Sequence, residues 1–316
     1  YKYTSSLIYD IPIPGSLYAF GAQVENAMEI SNEGLELELQ ADILRESAVS
    51  WRMKFNMARN WNRFEKSYSG KDVVDGDGTL LVAGRPLNGL YVWAHRGYYN
   101  SDAEVPRLYK IDGQEIYFNG VATNGISGAV GDYRLLDLDG DGNPDSYYAG
   151  SPLPLAHGGW VNELMWKNFD LNVLVNFTIG RKMINNRMGL GFSRQSEDGH
   201  LTKLFDYRKL RPWDGVNKKP NAPAWGNSLS MNTDSAIEKV HHLALKQITL
   251  GYNLPDRISK KAGLSGVRFF LTAENLFYLS NYSGGNPEVV NIYTGRDNGD
   301  TYPLPRKYTL GLTLNF

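Results

Sequence analysis

Apolar and polar residues alternate strictly along several stretches of the chain. The segment GLELELQADI places an apolar residue at every second position, and KYTLGLTLNF ends the chain in the same way. Successive side chains of a β-strand point to opposite faces, so this period of two predicts strands with one apolar and one polar face. Strands of about nine to eleven residues exceed the usual length in globular sheets and suit tilted crossings of a bilayer.

The alternation predicts eight strands joined by connections of two sizes. The strands lie at 1–9, 33–43, 49–61, 157–166, 169–180, 243–254, 266–277 and 307–316. Short connections lie at 44–48, 167–168 and 255–265, and long ones at 62–87, 97–156, 181–242 and 278–306. Short turns at one end and long loops at the other are typical of outer-membrane barrels. LYVWAHRGYY is either one crossing of a further pair or part of a long outer loop, so we expect eight or ten strands.

Composition and charge exclude several classes of protein. The net charge of −1 over 316 residues gives no electrostatic footprint for nucleic acid, and the absence of cysteine excludes disulfides and thiol chemistry. The sequence contains no run of about 18 apolar residues, which a transmembrane helix would require. The mean hydropathy of −0.40 is compatible with a membrane barrel, since alternating strands average out. The first residues, YKYTSSLIY, are typical of a strand and not of a signal peptide.

A soluble all-β protein is the alternative interpretation. Half-buried strands of a sandwich or jelly roll show the same alternation. The unequal loops and the apolar terminal strand favour the membrane. A secreted, calcium-braced β-sandwich that binds glycans is therefore the second hypothesis, and a passive porin, which needs an open lumen, is the third.

Seven segments carry a resemblance to a known family. They are NAMEISNEGLELELQADIL, GRPLNGLYVWAHRGYY, GDYRLLDLDGDGNPD, WKNFDLNVLVNFTIG, LALKQITLGYNLP, AENLFYLSNYSGGNPEV and YPLPRKYTLGLTLNF. In this order, over about 290 residues, they resemble the SusC/RagA group of TonB-dependent outer-membrane transporters of Bacteroidetes. Ala94, Ala244 and Asn286 depart from the residues usual in that group. Each motif is short, and their common order makes the resemblance specific.

The resemblance implies an all-β fold, an antiparallel transmembrane β-barrel, of which residues 1–316 would form the C-terminal eight to ten strands. Such barrels have about 22 strands around an internal plug, so the plug and the other strands would belong to a remaining N-terminal part of the transporter. It also implies an outer-membrane importer of oligosaccharides or peptides, energised through the TonB complex and capped by a SusD-like surface lipoprotein. Membrane lipid would surround the wall, and no enzymatic activity is implied.

The loop DLDGDGNPD has the composition of a cation site. Its potential ligands are Asp137, Asp139, Asp141, Asn143 and Asp145. Carboxylates on alternate residues of a tight loop suit Ca²⁺, which prefers oxygen ligands. Tyr148 stands where a bidentate glutamate would complete an EF-hand loop, so a distant carboxylate would have to close the site. The alternative is a solvated Asp/Gly-rich turn. We expect a Ca²⁺ ion to brace an outer loop here, without any organic cofactor.

Aromatic residues of the long loops are the candidates for contact with cargo or with the capping lipoprotein. They are Trp93, His95, Tyr98, Tyr147, Tyr148, Trp213 and Trp225. Flat rings beside Asp and Asn can hold a sugar or a peptide, whereas an aromatic girdle at the lipid interface is the alternative. Catalytic residues are not expected, since adjacent His241 and His242 point to opposite faces of a strand.

The last strand has its own predicted role. Its apolar residues are Tyr308, Leu310, Leu312, Leu314 and Phe316. The resemblance implies that this strand, with its terminal aromatic residue, is the sorting signal for the outer-membrane assembly machinery. It also implies that the strand pairs with the first strand of the barrel and closes the wall.

Overall fold

The structure is a computed structural model. It describes residues 1–12, 22–45, 48–74, 80–105, 107–109, 115–117, 130–140, 145–186, 208, 211–216, 219–224, 233–299 and 301–316.

Strands dominate the described residues, and helices are few and short. The strands are β1 (Lys2–Pro12), β2 (Ala22–Leu44), β3 (Val49–Lys66), β4 (Val73–Val74), β5 (Leu80–Leu81), β6 (Leu90–Trp93), β7 (His95–Tyr98), β8 (Arg107–Tyr109), β9 (Glu115–Tyr117), β10 (Tyr133–Leu135), β11 (Ser146–Gly150), β12 (Ala156–Trp166), β13 (Phe169–Asn185), β14 (Ile237–Asn253), β15 (Gly266–Ser280), β16 (Arg296–Asp297) and β17 (Lys307–Asn315). The helical segments are α1 (Asp256–Lys261) and 3₁₀ turns at Asp102–Glu104, Asp234–Ala236 and Pro287–Val289. Within the described ranges, no helix has the length and apolar character needed to cross a membrane.

The eight long strands form one antiparallel sheet in the order β1-β2-β3-β12-β13-β14-β15-β17, and β16 pairs with β13 in parallel. These are the eight strands that the alternation predicts, so the all-β antiparallel fold class is confirmed. The segment LYVWAHRGYY forms β6 and β7, which pair with β11 and β10 in two small separate sheets. Among the described residues the main sheet therefore has eight long strands, and this segment is part of a loop.

Several strands run further than the alternation predicts. β2 begins at Ala22 instead of residue 33, and β14 begins at Ile237 instead of residue 243. The register shifts near these extensions, between Glu29 and Ile30 and between Thr178 and Arg181. A bulge inserts a residue and reverses the facing of those beyond it, so the period of two is lost where the strand continues. All extensions lie at the end with the long connections, here called the loop end; the other is the turn end.

The register brings the apolar residues of the long strands onto one face. Leu39 lies opposite Phe55, Phe55 opposite Trp160, Trp160 opposite Val175, and Val175 opposite Leu245. Residues directly opposite each other on antiparallel strands point to the same side. A single slip of register would move a whole strand's apolar set to the other face, so this agreement defines an apolar face and a polar face.

Ion pairs join strands of the main sheet on its polar face. Four of them are Arg52–Asp42 at 2.6 Å, Lys54–Glu163 at 2.7 Å, Arg268–Asp170 at 2.5 Å and Lys307–Glu274 at 3.4 Å. Three of them link adjacent strands, β2 to β3, β3 to β12 and β15 to β17, whereas Arg268–Asp170 reaches across β14 from β15 to β13. Opposite charges on adjacent strands reinforce the pairing that the apolar face sets.

The buried hydrophobic residues gather at the loop end. Met28, Phe64, Val73 and Leu81 form one cluster between β2, β3 and the β4–β5 hairpin. Two further clusters join the ends of β13 and β14 to the loops. Their buried members are Leu90, Val92, Ala149, Ile184 and Ala236 in one, and Met183, Val240, Tyr282 and Val290 in the other.

The apolar face, by contrast, is uncovered. Leu35 is 63% exposed, Leu279 62% and Leu310 80%. A β-sandwich would bury this face against a second sheet. No described segment forms such a sheet over it. A continuous exposed apolar surface of this extent requires a partner or lipid. The arrangement therefore disfavours the soluble sandwich.

Candidate functional site

Aromatic rings border the apolar face at the turn end. The ring centroids of Trp166 and Phe169 lie 6.1 Å apart, and those of Phe169 and Tyr252 lie 4.7 Å apart. Between the first two rings, Lys167 has φ 52° in the tight turn, and its ammonium lies 5.1 Å from the Trp166 ring centroid. Aromatic rings with a lysine at the border of an aliphatic surface are typical of a membrane interface.

The closing strand lies on this surface as well. Tyr308 and Phe316 are 66% and 94% exposed, and the three leucines between them are exposed too. The N–H of Ser265 donates to the Asn315 carbonyl at 2.8 Å, which fixes the strand's last residues to the β14–β15 connection. Its second edge has no partner strand among the described residues. The role in assembly stays a prediction, with which this exposed edge is compatible.

A buried arginine holds one long loop at the polar side of the sheet. Arg181 of β13 is 5% exposed. Its guanidinium donates to the carbonyls of Pro152 at 3.1 Å, Pro287 at 3.2 Å, Val290 at 2.9 Å and Asn291 at 2.7 Å. We call this set the Arg181 clasp. It joins the strand to two separate connections, residues 151–155 and 281–299.

A cavity of 370 Å³ lies beside the clasp, with His157, His242 and Glu288 in its lining. The Glu288 carboxylate is 3.7 Å from the His242 imidazole and 3.3 Å from the Lys246 ammonium. The interaction with His242, together with the positive charge of Lys246, lowers the pKa of Glu288. The carboxylate is therefore held in its charged form and ties the loop to β14.

Tyr133 forms the centre of an aromatic cluster at the loop end. Its ring lies edge-on to His95, with centroids 4.9 Å apart, and stacks on Tyr98 at 5.4 Å. Its hydroxyl accepts a hydrogen bond of 3.0 Å from Ser235. Burial raises the pKa of Tyr133 and that of Tyr98, so both phenols stay neutral donors.

Asp234 connects this cluster to a third ring. Its carboxylate is hydrogen-bonded to His95 Nδ1, and the Tyr147 hydroxyl donates to its other oxygen at 3.2 Å. The structure thus brings together three of the residues predicted for recognition, His95, Tyr98 and Tyr147. Two aromatic rings and an imidazole around one carboxylate can stack on a flat ligand and hydrogen-bond to its edge.

The other predicted recognition residues lie apart. Trp93 ends β6 and forms a parallel bridge at the edge of the cluster. Tyr148 stacks under the Arg85 guanidinium, 4.6 Å from its ring centroid. Trp213 donates its indole N–H to an asparagine oxygen after β7, at 3.2 Å. Trp225 lies outside the described residues.

The acidic loop brings three of its predicted ligands together. One carboxylate oxygen each from Asp137, Asp139 and Asp145 lies within 4.8 Å of the others. Asp137 and Asp145 also accept hydrogen bonds of 2.5 to 3.2 Å from backbone N–H groups of the same loop. Asp141 and Asn143 lie outside the described residues. Oxygens at this spacing can surround one Ca²⁺ ion, for which typical metal–oxygen distances are about 2.3–2.6 Å.

Sequence reasoning missed three residues of these sites. Arg181 follows the β13 bulge, and its partners are carbonyls, which leave no trace in the sequence. Tyr133 lies in the segment GDYRLL, and this segment does not show that the ring packs between two loops. Asp234 comes from a connection about 100 residues later in the chain.

Comparisons with known proteins identify relatives over the whole chain, although no family model matches. The chain is 25% identical to TonB-dependent receptor P3 of Formosa agariphila over 99% of its length, which covers 31% of that receptor. It is 28% identical to receptor P26 of the same organism, covering all of this chain and 32% of the relative. It is 25% identical to TonB-dependent receptor SusC of Bacteroides thetaiotaomicron, covering all of this chain and 29% of SusC.

Solved structures give the same result for the fold. The structure of the RagAB peptide transporter matches 99% of this chain and 32% of its own, with a TM-score of 0.72 and 22% identity. A second structure, of the RagAB peptide importer in the closed-closed state, matches with a TM-score of 0.71 and 21% identity. The chain spans about a third of the length of the curated relatives it matches.

Proposed function

This chain is a relative of the SusC-type TonB-dependent receptors, and from that premise we propose that it forms part of the wall of an outer-membrane importer. The apolar face lies in lipid, and the polar face lines the lumen. The loop end faces the cell exterior and the turn end faces the periplasm, as expected from the sizes of the connections. The cargo class is oligosaccharides or peptides.

One observation carries the proposal. The long strands share a register that keeps one face apolar and uncovered, while the buried hydrophobic clusters of the described residues lie at the loop end. In water this arrangement would expose a large apolar surface. In a bilayer the acyl chains would cover the same surface, and the backbone groups between neighbouring strands are hydrogen-bonded to each other.

Transport requires parts beyond this chain. We propose that a remaining N-terminal part supplies the plug and the other strands and that the TonB complex transmits energy to that part. A SusD-like lipoprotein caps the barrel over the loop end. Support comes from the resemblance of seven ordered motifs and from the free edges of the sheet, which cannot remain unpaired in lipid.

The aromatic cluster is the proposed contact for cargo or for the capping lipoprotein. Tyr133 is buried, and around it the partly exposed His95, Tyr98 and Tyr147 form a hydrogen-bonded aromatic group at the loop end. Replacing Tyr147 and Tyr98 by alanine in the complete transporter should weaken lipoprotein binding or cargo uptake while the protein still reaches the membrane. Wild-type values of both in the double variant would exclude the cluster from either role.

We also propose that the acidic loop binds a structural Ca²⁺. Three clustered carboxylates support this, and they would repel one another without a cation. The double change of Asp137 and Asp145 to Asn should remove calcium-dependent protection of residues 130–150 from protease. Equal protection of the wild-type transporter with calcium and with a chelator would contradict the proposal.

The decisive test of transport uses a strain that lacks the complete gene. Reintroduced wild-type transporter should restore uptake of an oligosaccharide or peptide pool, and collapse of the proton gradient should abolish that uptake. The protein should also migrate faster on a gel before heating than after, as folded barrels do. A protein that is monomeric and soluble without detergent would refute the barrel assignment, whereas uptake unaffected by loss of the gradient would indicate a passive porin.

A further inference from the structure

The wall has a notch at the loop end, directly above β12. This strand begins at Ala156, whereas its neighbours β3 and β13 continue to Lys66 and Asn185. Their last contacts with β12 are Ala58 opposite His157 and Ile179 opposite Ala156. Beyond these pairs β3 and β13 have no strand between them, and a pocket of 500 Å³ occupies the region.

Basic side chains border this notch on the apolar side of the sheet. Arg59 lies opposite Leu35, so the register directs it to the same side as the apolar face. Beyond the β13 bulge, Lys182 lies opposite Lys239, one position before the residue paired with the inward-facing Arg181. The alternation therefore directs both lysines to the apolar side as well. All three cations belong to the lining of the pocket.

The described lining of the notch carries positive side chains and no carboxylate. Lys182 and Lys239 face each other directly, an arrangement of like charges that disfavours strand pairing. The Lys182 ammonium donates to the Ala149 carbonyl, and Arg59 stacks on Trp61 at 4.5 Å. None of the described residues that line the pocket is acidic. The site thus offers three cations, each without a carboxylate in the lining, to an external anion.

The position of the notch indicates the source of that anion. Leu155, which is 45% exposed, and Trp61, which is 42% exposed, line the pocket where the apolar face ends. An aliphatic and an aromatic side chain beside clustered cations match the boundary between acyl chains and headgroups. A soluble anion has no apolar chain that could cover the adjoining apolar surface.

We propose that this notch binds the phosphate of an outer-leaflet glycolipid, with Arg59, Lys182 and Lys239 around the phosphate and the acyl chains along the apolar face. The proposal rests on the outer-membrane orientation given above. It assigns to the outside of the wall a lipid site that is separate from the cargo path on the polar face.

The test measures lipopolysaccharide bound to the complete transporter. Wild-type and the double variant Arg59→Gln, Lys239→Gln are purified in mild detergent, and the retained glycolipid is quantified by mass spectrometry. Each lost cation should weaken retention about fivefold, the factor expected for one basic residue beside an anionic lipid surface. The matched control is Lys260→Gln, Lys261→Gln, which removes the same charge from α1 at the turn end and should leave retention unchanged.

Two further measurements separate the possible outcomes. Added inorganic phosphate at millimolar concentration should not displace the lipid; displacement would identify a free-anion site instead. Equal lipid retention in wild-type and double variant would overturn the proposal. The heat-modifiable gel shift and cargo uptake are measured on the same samples. If both are normal while retention is unchanged, only the lipid site fails, whereas loss of the gel shift in the wild type would refute the barrel itself.

Discussion

The Arg181 clasp should control the stability of the loop at residues 281–299. Arg181 is buried, and its guanidinium supplies the donors for four backbone carbonyls in two connections. Replacement by methionine keeps most of the side-chain volume and removes every donor. The carbonyls of Pro287, Val290 and Asn291 would then lose their shared partner.

The expected cost follows from these contacts. A hydrogen bond to a charged group contributes about 1.5–3 kcal/mol, and an orphaned buried acceptor costs about 1–3 kcal/mol. The contacts share one guanidinium and are not additive, so we expect a loss of about 3 kcal/mol in the free energy that holds the loop closed. At about 1.4 kcal/mol for each factor of ten, this loss corresponds to about 150-fold faster exchange of the protected loop amides.

Hydrogen–deuterium exchange on the complete transporter in lipid nanodiscs measures this difference. Peptides that cover residues 286–292 should lose protection in Arg181→Met, while peptides from β15 keep it. Arg181→Lys retains the charge without the planar fork and should give an intermediate rate. Arg257→Met, an exposed change on α1 at the turn end, is the matched control. Unchanged exchange of the loop amides in Arg181→Met would show that Arg181 does not hold this loop closed.

Three further predictions concern the closing strand and the loop. Removal of Phe316 should lower the heat-modifiable fraction in outer-membrane extracts, while Phe316→Tyr should not; equal fractions would contradict the assembly role. A Cβ at Gly311 would collide with the ring of Phe270, so Gly311→Val should destabilise the barrel by about 1–3 kcal/mol in denaturant unfolding, with rescue by a second change, Phe270→Ala. Because the folded pKa of Glu288 is lowered, its stabilisation is present above the ordinary carboxyl pKa and is lost as the pH falls through the depressed value. A spin label at Ile292 should therefore become more mobile in acid, and Glu288→Gln should be mobile at pH 7 as well; label mobility independent of pH in the wild type would contradict the role of this carboxylate.

The long strands were predictable because the two faces of the sheet impose opposite requirements on alternate residues. β12 and β13 agree with the predicted ranges to within a residue at their turn-end limits, where Trp166 and Phe169 flank the two-residue turn. The loop-end extensions were not predictable. There the bulges change the facing of successive residues, and both sides of the strand pack against protein. The period of two therefore fails to predict a strand where both of its faces pack against protein.

The candidate sites divide in the same way. The acidic loop was predictable as a cluster because its carboxylates are close in sequence, and three of them do lie together. The aromatic cluster depends on contacts between β7, β10 and residues 234–235, which only the folded loops bring together. Composition could nominate His95 and Tyr147, but it could not show that Asp234 joins them. The Arg181 clasp could not be predicted from the sequence, because its acceptors are backbone carbonyls, which every residue carries.

We propose that the apolar face of the sheet lies in lipid and that the polar face does not. This chain has no cysteine, so single cysteines for spin labels can be placed on β13 within the complete transporter. Labels at Val173 and Val175 should be accessible to oxygen and shielded from a water-soluble nickel complex, whereas labels at Asn172 and Asn176 should not show this lipid signature. The labels at 173 and 175 could instead collide with the nickel complex as often as a label at the exposed position 260. That result would contradict the placement of the apolar face in lipid.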